Sequence, residues 1–532
     1  MKNQVTLIAS IIGLVGLIAC GGHGTSGEKR SYNDTPGYDM ITTEESEAEG
    51  DDIGYPEEEF IDEIDNTDFN TEEYAYLPEN DFLSPASNPL STFSIDVDNA
   101  SYSNTRRFIN DGVKPPVDAV RSEEFINYFD YDYPVPTNDE TFSVYTEVGV
   151  CPWNEDARLV HIGLQGYTVP IEELPPANLV FLLDISGSMD APDKLPLLKK
   201  SFKLMVDRLN EEDRVSIVTY AGEDRVVLES TSCKEKDVIK EAIDNLKSGG
   251  STNGAGGIER AYEIAGNNYL EKGNNRVILA TDGDFNIGKS SDGEVTRLIE
   301  EKRDQGVFLT ILGFGMGNYK DSKMESLADH GNGNYFYIDD IRESNRVLVN
   351  NLAGTLFTIA KDVKIQVEFN PALVKEYRLI GYENRLMNAE DFANDKKDAG
   401  ELGAGHTVTA IYEIIPGKAK STDLKFQHTQ AKNSDELLWV KLRYKKPEGS
   451  KSKLIEMPVT DKGLSWEENS KLFKFSTAVA GFSLILRESK YINDFTLDDV
   501  GAIGREVVEI HESDKLEFLR LVEDAKLLSE ES

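Results

Sequence analysis

A run of apolar residues in VFLLDISGSMD (180–190) ends at Asp184, and Ser186, Gly187 and Ser188 follow at once. A carboxylate and two hydroxyls within five positions suit a nucleophile, a phosphate site or a metal site. Two more segments carry matching groups: GGSTNG (249–254) presents Thr252 just before a helical pattern, and TDGD (281–284) presents Asp282 just after the apolar run RVILA. A serine nucleophile needs an activating partner, usually His, and none of His23, His161, His330, His406, His428 and His511 lies in a segment expected to reach this edge. The stretch also lacks the G-x-S-x-G elbow of hydrolases. There is no G-x-x-x-x-G-K-[ST] for a phosphate, and two nearby Asp residues oppose an anion. A cation fits better. Asp184, Ser186, Ser188, Thr252 and Asp282 offer five hard oxygens with two formal charges, which suits Mg²⁺, with Mn²⁺ or Ca²⁺ as alternatives. At least one coordination position then stays open for an Asp or Glu of a protein ligand. The expectation is binding rather than catalysis, with no catalytic residues assigned.

Such loops must sit at the carboxyl ends of parallel strands, where open α/β sheets bind their ligands. From Ala177 to about Ala360 strand and helix patterns alternate. The strand candidates are 179–183, 215–220, 225–228, 276–280, 307–312 and 335–338; the helix candidates are 194–209, 234–247, 256–269, 294–305, 323–329 and 342–359. Several strands are continuous aliphatic runs, as expected when both faces are buried. The fold class is therefore α/β, a doubly wound domain with a mostly parallel sheet.

Around it the pattern changes. Residues 91–98 read as a strand, 101–110 and 119–129 as helices, and 141–150 and 158–165 as strands. After Asp362 come strands 363–369, 376–381, 407–415, 438–444 and 454–458, with period-two alternation in HTVTAIYEIIP and WVKLRY. Strands 141–165 are expected to join these, so that the α/β domain is inserted into a β-rich accessory domain. Helices at 467–487, 497–509 and 515–529 close the chain. FKFSTAVAGFSLIL (473–486) reads as a core helix, as does the stripe Phe518, Leu521, Val522, Ala525 and Leu528. GFGMG (313–317) reads as a tight turn, because Asn318 replaces the last glycine of a dinucleotide fingerprint. Asp282, Asp284 and Asn286 alternate as in a calcium loop, but no Glu stands at the twelfth position and turn roles fit better.

The 532 residues hold 96 acidic against 56 basic side chains, a net charge of −40, which repels nucleic acid. Residues 1–19 have the form of a secretory signal, with Lys2 ahead of an apolar run. LIAC followed by Gly21 resembles the lipobox of bacterial lipoproteins, which implies acylation of Cys20 and a membrane anchor in the cell envelope, most simply the outer membrane, facing periplasm or surface. Residues 20–88 are acidic and expected to form a disordered tether. The reading then divides the chain into an N-terminal region (89–175), the α/β domain (176–360) and a C-terminal β-rich and helical domain (361–532). Whether Cys151 pairs with Cys233 is left open.

At Asp184, Ser186, Ser188, Thr252 and Asp282 the sequence resembles the von Willebrand factor type A (VWA) domain and its metal-ion-dependent adhesion site. All five positions match the pattern in order. The resemblance implies that the hydroxyls touch the metal directly and that the Asp residues often act through water. SIDVDNASYSNTRRFIN, GGSTNGAGGIERAY, TDGDFNIG, GNYKDSKMESLADHGNGNYFYID and FKFSTAVAGFSLILRESKY are similar to segments of the YfbK-type bacterial lipoproteins, covering nearly everything after Pro89. The expected function is metal-dependent protein binding or adhesion by a membrane-anchored lipoprotein. The alternatives are a docking or assembly factor for an ATPase or envelope machine, and a serine hydrolase using Ser186 or Ser188.

Overall fold

A computed structural model describes residues 72–530 apart from 97, 138–139, 222, 251–253, 284–291, 318, 398, 421–433 and 448. The expected signal segment, Cys20, most of the tether, Thr252, Asp284 and Asn286 lie outside the described residues. All described residues belong to one compact unit, Thr67–Ser532.

Residues 72–88, expected in the tether, are instead packed along the folded unit. Glu73 N–H donates to Tyr319 O at 3.0 Å, and Leu83 exchanges backbone hydrogen bonds with Tyr377. Tyr74 and Phe82 rest edge-on against Phe108 and Tyr491. These aromatic anchors outweigh the acidic composition that suggested disorder. Strand β1 (Leu90–Ser94) follows, then helix α1 (Ala100–Asn110), helix α2 (Ser122–Tyr128) and strands β2 (Phe142–Val150) and β3 (Arg158–Gly166). The helix expected over 119–129 starts three residues later, because Val117–Ala119 form a 3₁₀ turn. β1 ends four residues short of Asp98, whose carboxylate turns to accept from Tyr335 N–H at 2.8 Å.

The α/β domain then runs β4 (Ala177–Asp184), α3 (Leu195–Arg208), β5 (Arg214–Ala221), β6 (Glu223–Ser232), α4 (Lys236–Asp244), α5 (Gly254–Asn267), β7 (Asn274–Thr281), α6 (Asp292–Asp304), β8 (Val307–Phe314), α7 (Asp321–His330) and β9 (Tyr335–Ile338). Its sheet has the order β6-β5-β4-β7-β8-β9, parallel except for β6. One core lies on each face: Phe181, Leu183 and Phe202 on one side, Val180, Leu182 and Ile258 on the other. Burial on both faces explains the unbroken aliphatic runs. The single helix expected over 342–359 is broken into α8 (Ile341–Asn345), a π turn (Arg346–Asn350) and α9 (Leu352–Leu356). β-branched Thr358 and Ile359 already belong to the next strand, which is where such side chains pack best.

The accessory domain comprises β10 (Thr358–Phe369), β11 (Val374–Ile380), β12 (Leu402–Gly403), β13 (Thr407–Pro416), β14 (Leu438–Lys445) and β15 (Ser452–Val459), then α10 (Lys471–Leu486), α11 (Leu497–Val507) and α12 (Ser513–Glu530). One antiparallel sheet is ordered β1-β10-β14-β15, with β12 beside β10; the other is β11-β13-β3-β2. Strands from before and after the α/β domain thus share both sheets, so that domain is an insertion. Their facing sides form one core with Phe93, Val160, Ile365 and Tyr412. α10 is buried almost all round, and Phe518, Leu521, Val522 and Ala525 of α12 lie in the core built on it. Among the described residues no helix is long and apolar enough to cross a membrane. Cys151 and Cys233 are both free and buried in different cores.

Candidate metal centre

Parallel register sets the frame of the site. Leu183 of β4 lies opposite Ala280 of β7 and Asp184 opposite Tyr220 of β5, so Asp184 and Asp282 leave neighbouring strands at the same sheet edge. Both carboxylates are fully buried. Past Asp184 the chain turns sharply. Asp184 Oδ1 accepts from Ser186 N–H at 2.8 Å, and Ser186 Oγ lies 3.0 Å from Ser188 Oγ. Met189 is buried in the core beneath the turn, so Ser186 is covered while Ser188 faces solvent. Two buried carboxylates, a covered hydroxyl and an exposed hydroxyl thus lie at one sheet edge.

The second loop is tied to this turn by backbone. Gly249 N–H donates to Ile185 O at 2.8 Å, and Gly187 N–H donates to Gly250 O at 3.1 Å. Gly250 has φ +91°, and a Cβ there would stand 2.9 Å from Ala221 O, so glycine alone fits. Thr252, two residues further along the chain, lies outside the described residues. The third loop is braced by Thr281, whose hydroxyl donates to Asp184 Oδ2 at 3.3 Å and accepts from Gly283 N–H at 3.2 Å. Of the five expected ligands the structure brings Asp184, Ser186, Ser188 and Asp282 to one edge.

Sequence reasoning missed Lys194. Its Nζ donates to Asp282 Oδ2 at 3.0 Å, with the lysine side chain 9% exposed and the aspartate fully covered. The only local signal was a lysine placed just before the apolar face of α3, which sequence periodicity treats as a helix end. Burial pushes the Asp184 carboxyl up to about 6, and the neighbouring charge of Asp282 adds to this, while hydrogen bonds from Ser186 pull the other way.

A divalent ion suits these residues. Every donor is a hard oxygen, and among the described residues the Lys194 ammonium is set on the Asp282 carboxylate. Among the described residues no three His, Cys, Asp or Glu side chains gather to hold an ion, so an ion at this edge would need the hydroxyls as ligands too. The described histidines lie elsewhere. His161 Nδ1 is 2.9 Å from Ser476 Oγ and its Nε2 faces Tyr133, in the accessory domain; burial holds His161 and His406 down at about 4. Of GFGMG, Gly313 and Phe314 end β8 and the turn starts only at Gly315, with Gly315 and Gly317 at φ +71° and +99°.

Three family descriptions match along the chain. Residues 178–350 match the von Willebrand factor type A domain, residues 68–161 a family described as von Willebrand factor, and residues 354–528 the family described as uncharacterized protein YfbK, C-terminal. Uncharacterized protein YfbK of Escherichia coli (strain K12) is 40% identical over 467 residues, spanning 85% of this chain and 81% of that protein. The chain belongs to the YfbK family. Among solved structures, the von Willebrand factor type A protein from Catenulispora acidiphila is 15% identical with a TM-score of 0.39, covering 84% of this chain and 91% of that one. Proximal thread matrix protein 1 of the mussel byssus, solved with a zinc-occupied adhesion-site motif, is 25% identical with a TM-score of 0.28, over 36% of this chain and 46% of that one. In this YfbK-family chain the accessory strands and helices match the C-terminal family region, and the inserted domain matches the VWA region.

Proposed function

We propose that this YfbK-family chain is a membrane-anchored lipoprotein that binds another protein through a divalent cation, most simply Mg²⁺. The observation that carries this is the meeting of two buried carboxylates, Asp184 and Asp282, with the paired hydroxyls of Ser186 and Ser188 at one sheet edge. Asp184, Ser186, Ser188 and Asp282, with Thr252, would hold the ion. The bound ion supplies a Lewis-acidic position that accepts a carboxylate oxygen. The chain's own part is to keep that position under-neutralised. Ser186 and Ser188 add oxygen without charge, and Thr281 and Ser186 N–H hold the Asp184 carboxylate in a fixed orientation. An Asp or Glu of the partner protein then completes the set. The acylated Cys20 would keep this surface at a cell-envelope membrane.

A hydrolase is the weaker reading. Ser186 and Ser188 hydrogen bond to each other, and no described histidine is bonded to either. Asp184→Asn keeps the oxygen that accepts from Ser186 N–H and removes the charge. Crosslinking and capture from native membranes should recover a partner with Mg²⁺, lose it in chelator, and lose it in Asp184→Asn; capture unchanged in both would end this reading. Cys20→Ser should shift the chain from the membrane to the soluble fraction in the same preparations. One defined complex, rather than many ligands, would favour a docking or assembly factor.

A further inference from the structure

We propose that Lys194 is a built-in competitor of the metal: its ammonium neutralises Asp282 when no ion is bound and thereby sets how tightly the site takes one. The inference rests on the metal-dependent reading above and names the residue that regulates it.

Two observations carry it. First, Lys194 Nζ bonds Asp282 Oδ2 at 3.0 Å where both side chains are almost wholly covered. Covered from water, the contact is little screened, and breaking it leaves a buried charge without its counter-ion. Second, the lysine stem has a seat made for it. A Cβ on Gly315 would fall 2.3–2.8 Å from Lys194 Cε, Cγ and Cδ, and Gly315 adopts φ +71°. The loop after β8 is therefore bare of side chain where the stem crosses it. This lysine is not a surface side chain that has drifted inward.

The charges decide the consequence. Asp184 and Asp282 contribute two negative charges, and Lys194 cancels one. Counting the described side chains Asp184, Asp282 and Lys194, an entering divalent ion meets a net charge of −1 and an ammonium on one of its own ligands. Its affinity is lowered by that repulsion and by the loss of the Lys194 contact with Asp282. In exchange, the metal-free protein has a counter-ion for the buried Asp282 carboxylate.

The test is titration of the full chain with MgCl₂ and MnCl₂ by calorimetry, with thermal melting alongside, for wild type, Lys194→Met, Lys194→Arg and Asp184→Asn. Lys194→Met keeps the apolar stem. It should bind either metal roughly tenfold tighter or more, and its metal-free form should melt at lower temperature. Lys194→Arg retains the charge and should stay near wild type, which separates charge from packing. If wild type binds metal, loses it in Asp184→Asn, and Lys194→Met binds equally or more weakly, the Lys194 proposal fails while the metal site stands. If no form binds either metal, both fail. Binding confined to Lys194→Met would support the proposal in its strongest form.

Discussion

At the scale of single residues, the informative contrast lies between Ser188 and Asp184. Ser188 is exposed and bonds only Ser186 Oγ among the described residues, whereas Asp184 is buried and braces the turn. Removing the Ser188 hydroxyl should therefore cost less than about 1 kcal/mol of stability. Under the proposed function, Ser188→Ala should also weaken Mg²⁺ binding roughly tenfold, because a direct oxygen donor is lost. Melting curves and metal titrations of one preparation separate the two effects. A large drop in melting temperature would show Ser188 to be structural. The D-x-S-x-S spacing was legible because it is local. Lys194 was not, because its partner lies 88 residues away in sequence.

At the scale of elements, the most consequential node is Arg106 on α1. Its guanidinium bonds Asp339 at 2.6 Å, Glu343 at 2.9 Å and Glu517 at 2.8 Å, joining α1 to the α/β domain and to α12. Glu343 is almost fully buried and also pairs with Arg346 at 2.6 Å. Burial works against its charge, but Arg346 and Arg106 outweigh burial and hold its carboxyl at about 2. A carboxyl depressed below its ordinary 4.5 adds stability that is complete above about pH 4.5 and is lost as pH falls toward 2. Glu343→Gln should therefore destabilise the protein by about 3 kcal/mol near neutrality and flatten the acid limb of the stability curve. Urea unfolding at several pH values between about 2 and 6 measures both. An unchanged acid limb would remove Glu343 from this role.

At the scale of the whole molecule, the N-terminal region completes a sheet that its own domain leaves open. β9 is an edge strand, and two side chains from the N-terminal region satisfy it: Asp98 accepts from Tyr335 N–H, and Ser103 Oγ donates to Tyr337 O at 2.8 Å. Both residues stand in SIDVDNASYSNTRRFIN, which gives that motif a structural reason beside its resemblance. A fragment spanning 176–357 would bare this edge and lose the Arg106 node. It should unfold at lower urea than the full chain, by about 2 kcal/mol or more, and self-associate through β9. Size exclusion and urea melts test this; a monomeric fragment as stable as the full chain would refute it.

What the sequence determined by itself was whatever local spacing encodes. The aliphatic runs placed the parallel strands, period-two alternation placed the antiparallel ones, and three oxygen-bearing turns marked the sheet edge that carries the candidate site. The junctions were harder. The helix over 342–359 proved broken, and the acidic stretch 72–88 proved packed, because contacts from distant segments override local propensity and composition. Only the tertiary structure set Lys194 on Asp282, Asp98 and Ser103 on β9, and Arg106 among three carboxylates. These are buried charges and unpaired backbone groups, whose partners are chosen by proximity in space and leave no periodicity along the chain.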